Sequence, residues 1–143
     1  MMRIVCILAC VGLCSCAVKH DPIADLTEAQ RLYSQGDYQA AVKGYEALVR
    51  LQPQDGELWF RLANSYVRIN QPETAIEAYR NALLRNPNMA KAWHNLAEVH
   101  LKMALHAYTE GQKYIAADDP TLKVIESKQR QLRHLLEPSN DDR

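Results

Sequence analysis

The chain has 143 residues, 17 Lys+Arg against 17 Asp+Glu, 48% hydrophobic residues, five Gly and a single Phe. That length holds one compact unit rather than a two-domain enzyme, and zero formal charge argues against a binder that depends on neutralising phosphates, so no nucleic-acid partner is expected. A charged content of 24% with abundant Ala and Leu is wrong for a disordered chain, and scarce Val and Ile after residue 20 point to helix throughout.

Residues 1–15 read as a leader. Met1-Met2-Arg3 supplies one positive charge, and Ile4 to Cys14 follows as eleven apolar or small residues. That run is shorter than the roughly 20 residues that cross a hydrocarbon core, and it fits a secretory signal. All four cysteines, Cys6, Cys10, Cys14 and Cys16, fall within the first sixteen residues, so they form no disulfide framework. The sequence Leu13-Cys14-Ser15-Cys16 resembles the lipobox of bacterial lipoproteins. The resemblance implies cleavage before Cys16, a diacylglyceryl thioether on its sulfur, and fatty acylation, such as palmitate, on the new amine. Two or three chains at about 0.8 kcal/mol per buried CH₂ anchor stably. Ala17 rather than Asp follows the cysteine, which by the same resemblance implies the outer membrane, facing the periplasm. Residues 16–23 form a tether, of which Ala17 to Ile23 separates the lipid from the first helix by at most about 25 Å at ~3.3–3.6 Å per residue.

Self-similarity at an offset of 34 dominates the remainder. It aligns Ala29 with Ala63 and Ala97, Ala41 with Ala75, Tyr45 with Tyr79, Pro53 with Pro87, Trp59 with Trp93, and Leu62 with Leu96. Residues 56–89 read Trp59-x2-Leu62-Ala63-x2-Tyr66, Ala75-x3-Tyr79-x2-Ala82 and Pro87, which resembles the tetratricopeptide repeat. Residues 22–55 are a copy with Asp25 in place of the Trp, and a degenerate third copy opens at residue 90 with Trp93-x2-Leu96-Ala97. The implied fold is all-α, a solenoid of helix-turn-helix hairpins spanning 24–137 and closed by a C-terminal capping helix. Alanines at 29, 63, 75 and 97 would let helix backbones approach, while Trp59, Tyr66 and Tyr79 fill the wedges.

Turn residues mark the ends. Gly36-Asp37 and Asn70-Gln71-Pro72 separate paired helices, and Pro53 and Pro87 close each repeat. Helices are predicted near 24–35, 38–51, 57–69, 73–86 and from 90. Between Leu101 and Tyr108 nothing turns the chain, so the fifth helix is predicted to run on toward 117, with Gly111 the one candidate kink. Asp118-Asp119-Pro120-Thr121 breaks it, with Asp119 as N-cap. Residues 121–137 then form an amphipathic capping helix whose apolar face carries Leu122, Ile125, Leu132, Leu135 and Leu136. Residues 138–143 are a polar tail.

Chemistry is sparse. His94, His100 and His106 step by six, which rotates each about 120° around a helix and gathers no metal ligands. No nucleophile motif, phosphate loop or thiol follows Cys16. Neither a catalytic residue, a metal nor a cofactor is expected. The tetratricopeptide resemblance implies instead a concave groove lined by the first helix of each hairpin. Carried over, its positions are Leu26, Gln30 and Tyr33; Glu57, Phe60, Arg61, Asn64 and Arg68; and Lys91, His94, Asn95, Glu98 and Lys102. Asn64 and Asn95 could bond peptide carbonyls, and Arg61 or Arg68 could pair with acidic groups. Asn64 and Asn95 also match two positions of a clamp for a terminal carboxylate, but Phe60 stands where its first Lys belongs. The expected role is an adaptor that binds a peptide segment of an envelope protein and assists assembly of a larger complex, pilotin-like by analogy. The alternative is a module that self-associates through its terminal helix.

Overall fold

The computed structural model describes residues 21–137, so the leader, Cys16, most of the tether and the 138–143 tail lie outside the described residues. Six helices follow one another without a strand among the described residues: α1 Pro22–Ser34, α2 Tyr38–Leu51, α3 Gly56–Arg68, α4 Pro72–Arg85, α5 Ala90–Gln112 and α6 Thr121–Leu136. The first four boundaries fall within two residues of those predicted, and α1 begins inside the span expected to be tether.

Each start has a local cause. Side chains of Asp21, Asp37 and Asp55 accept hydrogen bonds from backbone amides of the opening turns of α1, α2 and α3. Pro72 opens α4, where a missing amide proton costs nothing. Pro120 takes the N-cap of α6, one residue later than the expected Asp119, whose Oδ1 accepts from the Thr121 amide at 2.8 Å.

The hairpin turns repeat with the sequence. Gly36 (φ 84°) and Asn70 (φ 57°) both occupy the left-handed region, one repeat apart. After each, the chain closes the same reversal: Asp37 N–H donates to the Leu32 carbonyl and Gln71 N–H to the Tyr66 carbonyl, both at 3.0 Å. The third equivalent is Ala104, for which a positive φ costs about 1–2 kcal/mol. No reversal forms there, and α5 continues for 23 residues. It ends after Gly111-Gln112, however, rather than running to 117: Lys113 and Tyr114 donate to the carbonyls of Glu110 and Gly111 in a terminal turn.

Side-chain size then sets the packing. Ala29, Ala41, Ala63, Ala75 and Ala82 are each at most 1% exposed, and Tyr45, Leu48, Leu58, Leu62, Tyr66 and Tyr79 fill the space between hairpins. A β-carbon at Gly44 would lie 3.0 Å from that of Ala29, which measures how closely α1 and α2 approach. Helices α1, α3 and α5 form one layer, and α2 and α4 the other. Two expectations fail at the C-terminal end. Ala97 is exposed, unlike Ala29 and Ala63, because no second helix folds back over it. The capping helix buries Ile125 and half-buries Leu122, Leu132 and Leu136 but leaves Leu135 67% exposed. Gln129, only 4% exposed, donates from Nε2 to Gln112 and Thr109, which ties α6 to the far half of α5.

Candidate functional site: the concave cleft

Residues two to four apart on α1, α3 and α5 turn toward one side of the array, and between the first two hairpins they enclose a cleft of about 180 Å³. Tyr33, Tyr45, Glu57, Phe60, Arg61, Asn64 and Lys91 line it. Five of the ten residues selected from the sequence, Tyr33, Phe60, Arg61, Asn64 and Lys91, are therefore together. Asn95 joins them by donating from Nδ2 to Asn64 Oδ1 at 2.9 Å. Gln30 is half-buried on α1, His94 is exposed on α5, and neither lines the cleft.

Arg68 and Lys102 lie farther along the same layer. The Arg68 guanidinium stacks 4.5 Å over the Tyr38 ring and donates to its hydroxyl. Lys102 pairs with Glu98 at 2.7 Å and borders a second, larger cleft of about 670 Å³ between the α3–α4 turn and α5, floored by Val67, Val99 and Met103. That cleft exists because α5 overruns the point where earlier hairpins reverse.

Aromatic rings make the floor. Phe60 packs 6.0 Å from Tyr79, centroid to centroid, and carries the Lys91 ammonium 4.5 Å from its own ring centroid. Tyr33 meets Tyr38 edge-on at 5.1 Å. Over this floor one carboxylate organises two cations: Glu57 lies 2.7 Å from Lys91 and 3.3 Å from Arg61. Asn64 is committed as well, since its Oδ1 accepts from the Tyr79 hydroxyl at 2.6 Å and from Asn95. With that oxygen accepting twice, the amide hydrogens are what Asn64 has left to offer a ligand. Across the whole face Arg61, Arg68, Lys91 and Lys102 stand against Glu57 and Glu98, leaving an excess of positive charge.

Buried phenols support the cleft from below. Burial pushes the Tyr79 hydroxyl up to about 12. It also raises Tyr45, against the opposing pull of the neighbouring Arg61 guanidinium. Tyr66 is likewise pushed to about 12, by burial and by its 2.6 Å bond to Glu46. All three stay neutral at any physiological pH, and Tyr66 and Tyr79 donate from that state. The sequence places Tyr79 in the core alone and marks Tyr45 only as its counterpart one repeat earlier; that shared place was the available signal that both also border groove residues. Among the described residues, no group of three or more His, Cys, Asp or Glu could hold a metal ion, and no helix is long and apolar enough to cross a membrane.

With this geometry in place, comparison with known proteins is informative. The family described as Tetratricopeptide repeat matches residues 23–65 and 56–99, more than half of the chain. The peroxisomal targeting signal receptor of Saccharomyces cerevisiae is 34% identical over 77 residues, 54% of this chain and 13% of the receptor. The human protein O-mannosyl-transferase TMTC1 is 30% identical over 115 residues, 74% of this chain and 13% of that protein. The chain thus spans about an eighth of the length of these relatives. Among solved structures, the Yersinia enterocolitica type III secretion chaperone SycD, in complex with a peptide of the translocator YopD, superposes with a TM-score of 0.55 at 21% identity, covering 80% of this chain and 94% of the chaperone. The likeness to the chaperone is one of fold. Hairpins of the same length, αL turns at the same place and a family match over both complete repeats agree: the chain belongs to the tetratricopeptide repeat family.

Proposed function

We propose that this chain is an adaptor that holds an extended, acidic peptide segment in its concave cleft, and that it does so from a lipid anchor at Cys16 on the periplasmic face of a bacterial outer membrane. The observation that carries the first half is the arrangement of Lys91 and Arg61 around Glu57 above the Phe60 ring. A peptide carboxylate entering there replaces Glu57 as the partner of either cation, while peptide apolar groups stack on the aromatic floor. The chaperone of similar fold was solved with a peptide of its translocator, and the yeast relative is a receptor for a targeting signal, which favours a peptide over a small molecule. Delivery of an envelope component to a larger assembly follows from joining this cleft to a membrane anchor. No catalytic role is part of the proposal.

The anchor rests on Leu13-Cys14-Ser15-Cys16 and the apolar leader before it. Radiolabelled palmitate is expected to enter the wild-type chain and not the Cys16→Ser variant, and to fractionate with the outer membrane. For the cleft, fluorescence anisotropy against a panel of acidic, neutral and basic peptides tests the reading. Binding confined to acidic members and lost in Arg61→Glu with Arg68→Glu, with an unchanged helical spectrum, is the expected result. Equal affinity for all three classes removes it.

A further inference from the structure

Trp59 and Trp93 repeat one contact one period apart. The Trp59 indole N–H donates to the Pro53 carbonyl at 3.0 Å, and the Trp93 indole N–H to the Pro87 carbonyl at 2.9 Å. Their surroundings differ. Helix α4 returns antiparallel over α3, so Arg85 near its end lies 5.0 Å over the Trp59 ring, while Ala63 is 0% and Tyr66 9% exposed. Over the first turns of α5 no helix returns among the described residues. Trp93 is 54% exposed, and Ala97 and His100, the counterparts of Ala63 and Tyr66, are both exposed. Because Gln129 fastens α6 to Gln112 and Thr109, α6 covers the far turns of α5 and leaves these near ones open.

We infer that the face of α5 formed by Trp93, Ala97 and His100 is half of a hairpin that a helix from a partner chain completes, in the antiparallel place that α2 holds on α1 and α4 on α3. The two complete repeats state what such a helix must carry. At the closest approach in the first hairpin Gly44 leaves room for Ala29, and a β-carbon there would come within 3.0 Å, so the occupant presents Gly or Ala opposite Ala97. At the second, a guanidinium covers the indole, so the occupant carries Arg or Lys near its C-terminal end to lie over Trp93. Between them it is an amphipathic helix of about four turns, the length of α2 and α4. Among the described residues no segment supplies it. At the offset of 34, Thr109 and Lys113 stand where Ala75 and Tyr79 fill the preceding hairpin. This surface faces away from the concave cleft, so the inference does not depend on the peptide reading.

The probe is a hydrocarbon-stapled peptide of residues 71–86, the chain's own covering helix, bridged across Glu73 and Glu77, which are exposed on α4. It is titrated into the full chain carrying 5-fluorotryptophan, followed by fluorine NMR. The Trp93 resonance is expected to shift and saturate while Trp59 stays in place, and Ala97→Arg, a change at an exposed position, is expected to weaken binding by about tenfold or more without moving the Trp59 signal. A scrambled stapled peptide that shifts Trp93 equally overturns the inference, as does a saturating shift that survives Ala97→Arg, or no shift at all. Concentration-dependent movement of the Trp93 signal without peptide, with dimer mass in light scattering, replaces the partner with a second copy and overturns it too.

Discussion

Lys91 Nζ lies 2.7 Å from Glu57 Oε2, and the two residues are 34 positions apart, so an ion pair bridges equivalent turns of neighbouring repeats. The same carboxylate holds Arg61 at 3.3 Å, which makes Glu57 an internal competitor for whatever anion the cleft receives. Glu57→Gln is expected to raise affinity for an acidic peptide several-fold. Both side chains of the pair are partly solvated, so stability is expected to change by less than about 1 kcal/mol. Titration by anisotropy beside a thermal melt measures both, and weaker binding by the variant contradicts the arrangement.

Asn70 holds a left-handed conformation at the α3–α4 reversal. Glycine takes that conformation freely, whereas a β-branched residue does not. Asn70→Gly is expected to leave the melting temperature unchanged or raise it slightly, and Asn70→Val to cost about 1–2 kcal/mol. Urea unfolding of the two variants side by side gives the comparison.

Close approach of α1 and α2 rests on Gly44 against Ala29. Gly44→Leu must push the helices apart or strain its rotamer, an overpacking cost of about 1–3 kcal/mol. Ala63→Leu, at a site with 0% exposure, is expected to fall in the same range. A wild-type melting curve for either contradicts the packing register.

Tyr66 and Tyr79 are both pushed to about 12 in the folded chain, against about 10 for an unfolded tyrosine. Folding therefore favours the neutral phenols. The stability this confers is fully present below pH 10 and is lost as pH rises through 10 to 12, on the order of 2 kcal/mol for each. Helical signal is expected to fall in that window together with the absorbance change of tyrosinate. Tyr66→Phe removes the bond to Glu46 and shifts the alkaline transition upward. Ionisation of all tyrosines near pH 10 with the helices intact would contradict these environments.

The first two repeats were legible because their signals are local. Prolines at 53, 72 and 87 and the Gly36-Asp37 turn each act within a few residues of themselves, whereas the Asp21 cap that starts α1 inside the expected tether went unread. The cleft was half legible: position within the period brought out Tyr33, Phe60, Arg61, Asn64 and Lys91, but not that Asn64 Oδ1 is already taken by Tyr79. That bond depends on how far α4 leans over α3, a tertiary quantity with no sequence marker. At the third repeat, the absent turn after Leu101 announced that α5 would run on. What it did not announce was Ala97 left bare, because a burial pattern specifies a helix's apolar side and not whether a neighbour arrives to cover it.

Residues 36, 70 and 104 read Gly, Asn and Ala, and the first two reverse the chain while the third does not. Chain reversal in this protein consequently recurs only while a residue that tolerates a positive φ recurs with it, and the rhythm of turns stops where Ala104 takes that place.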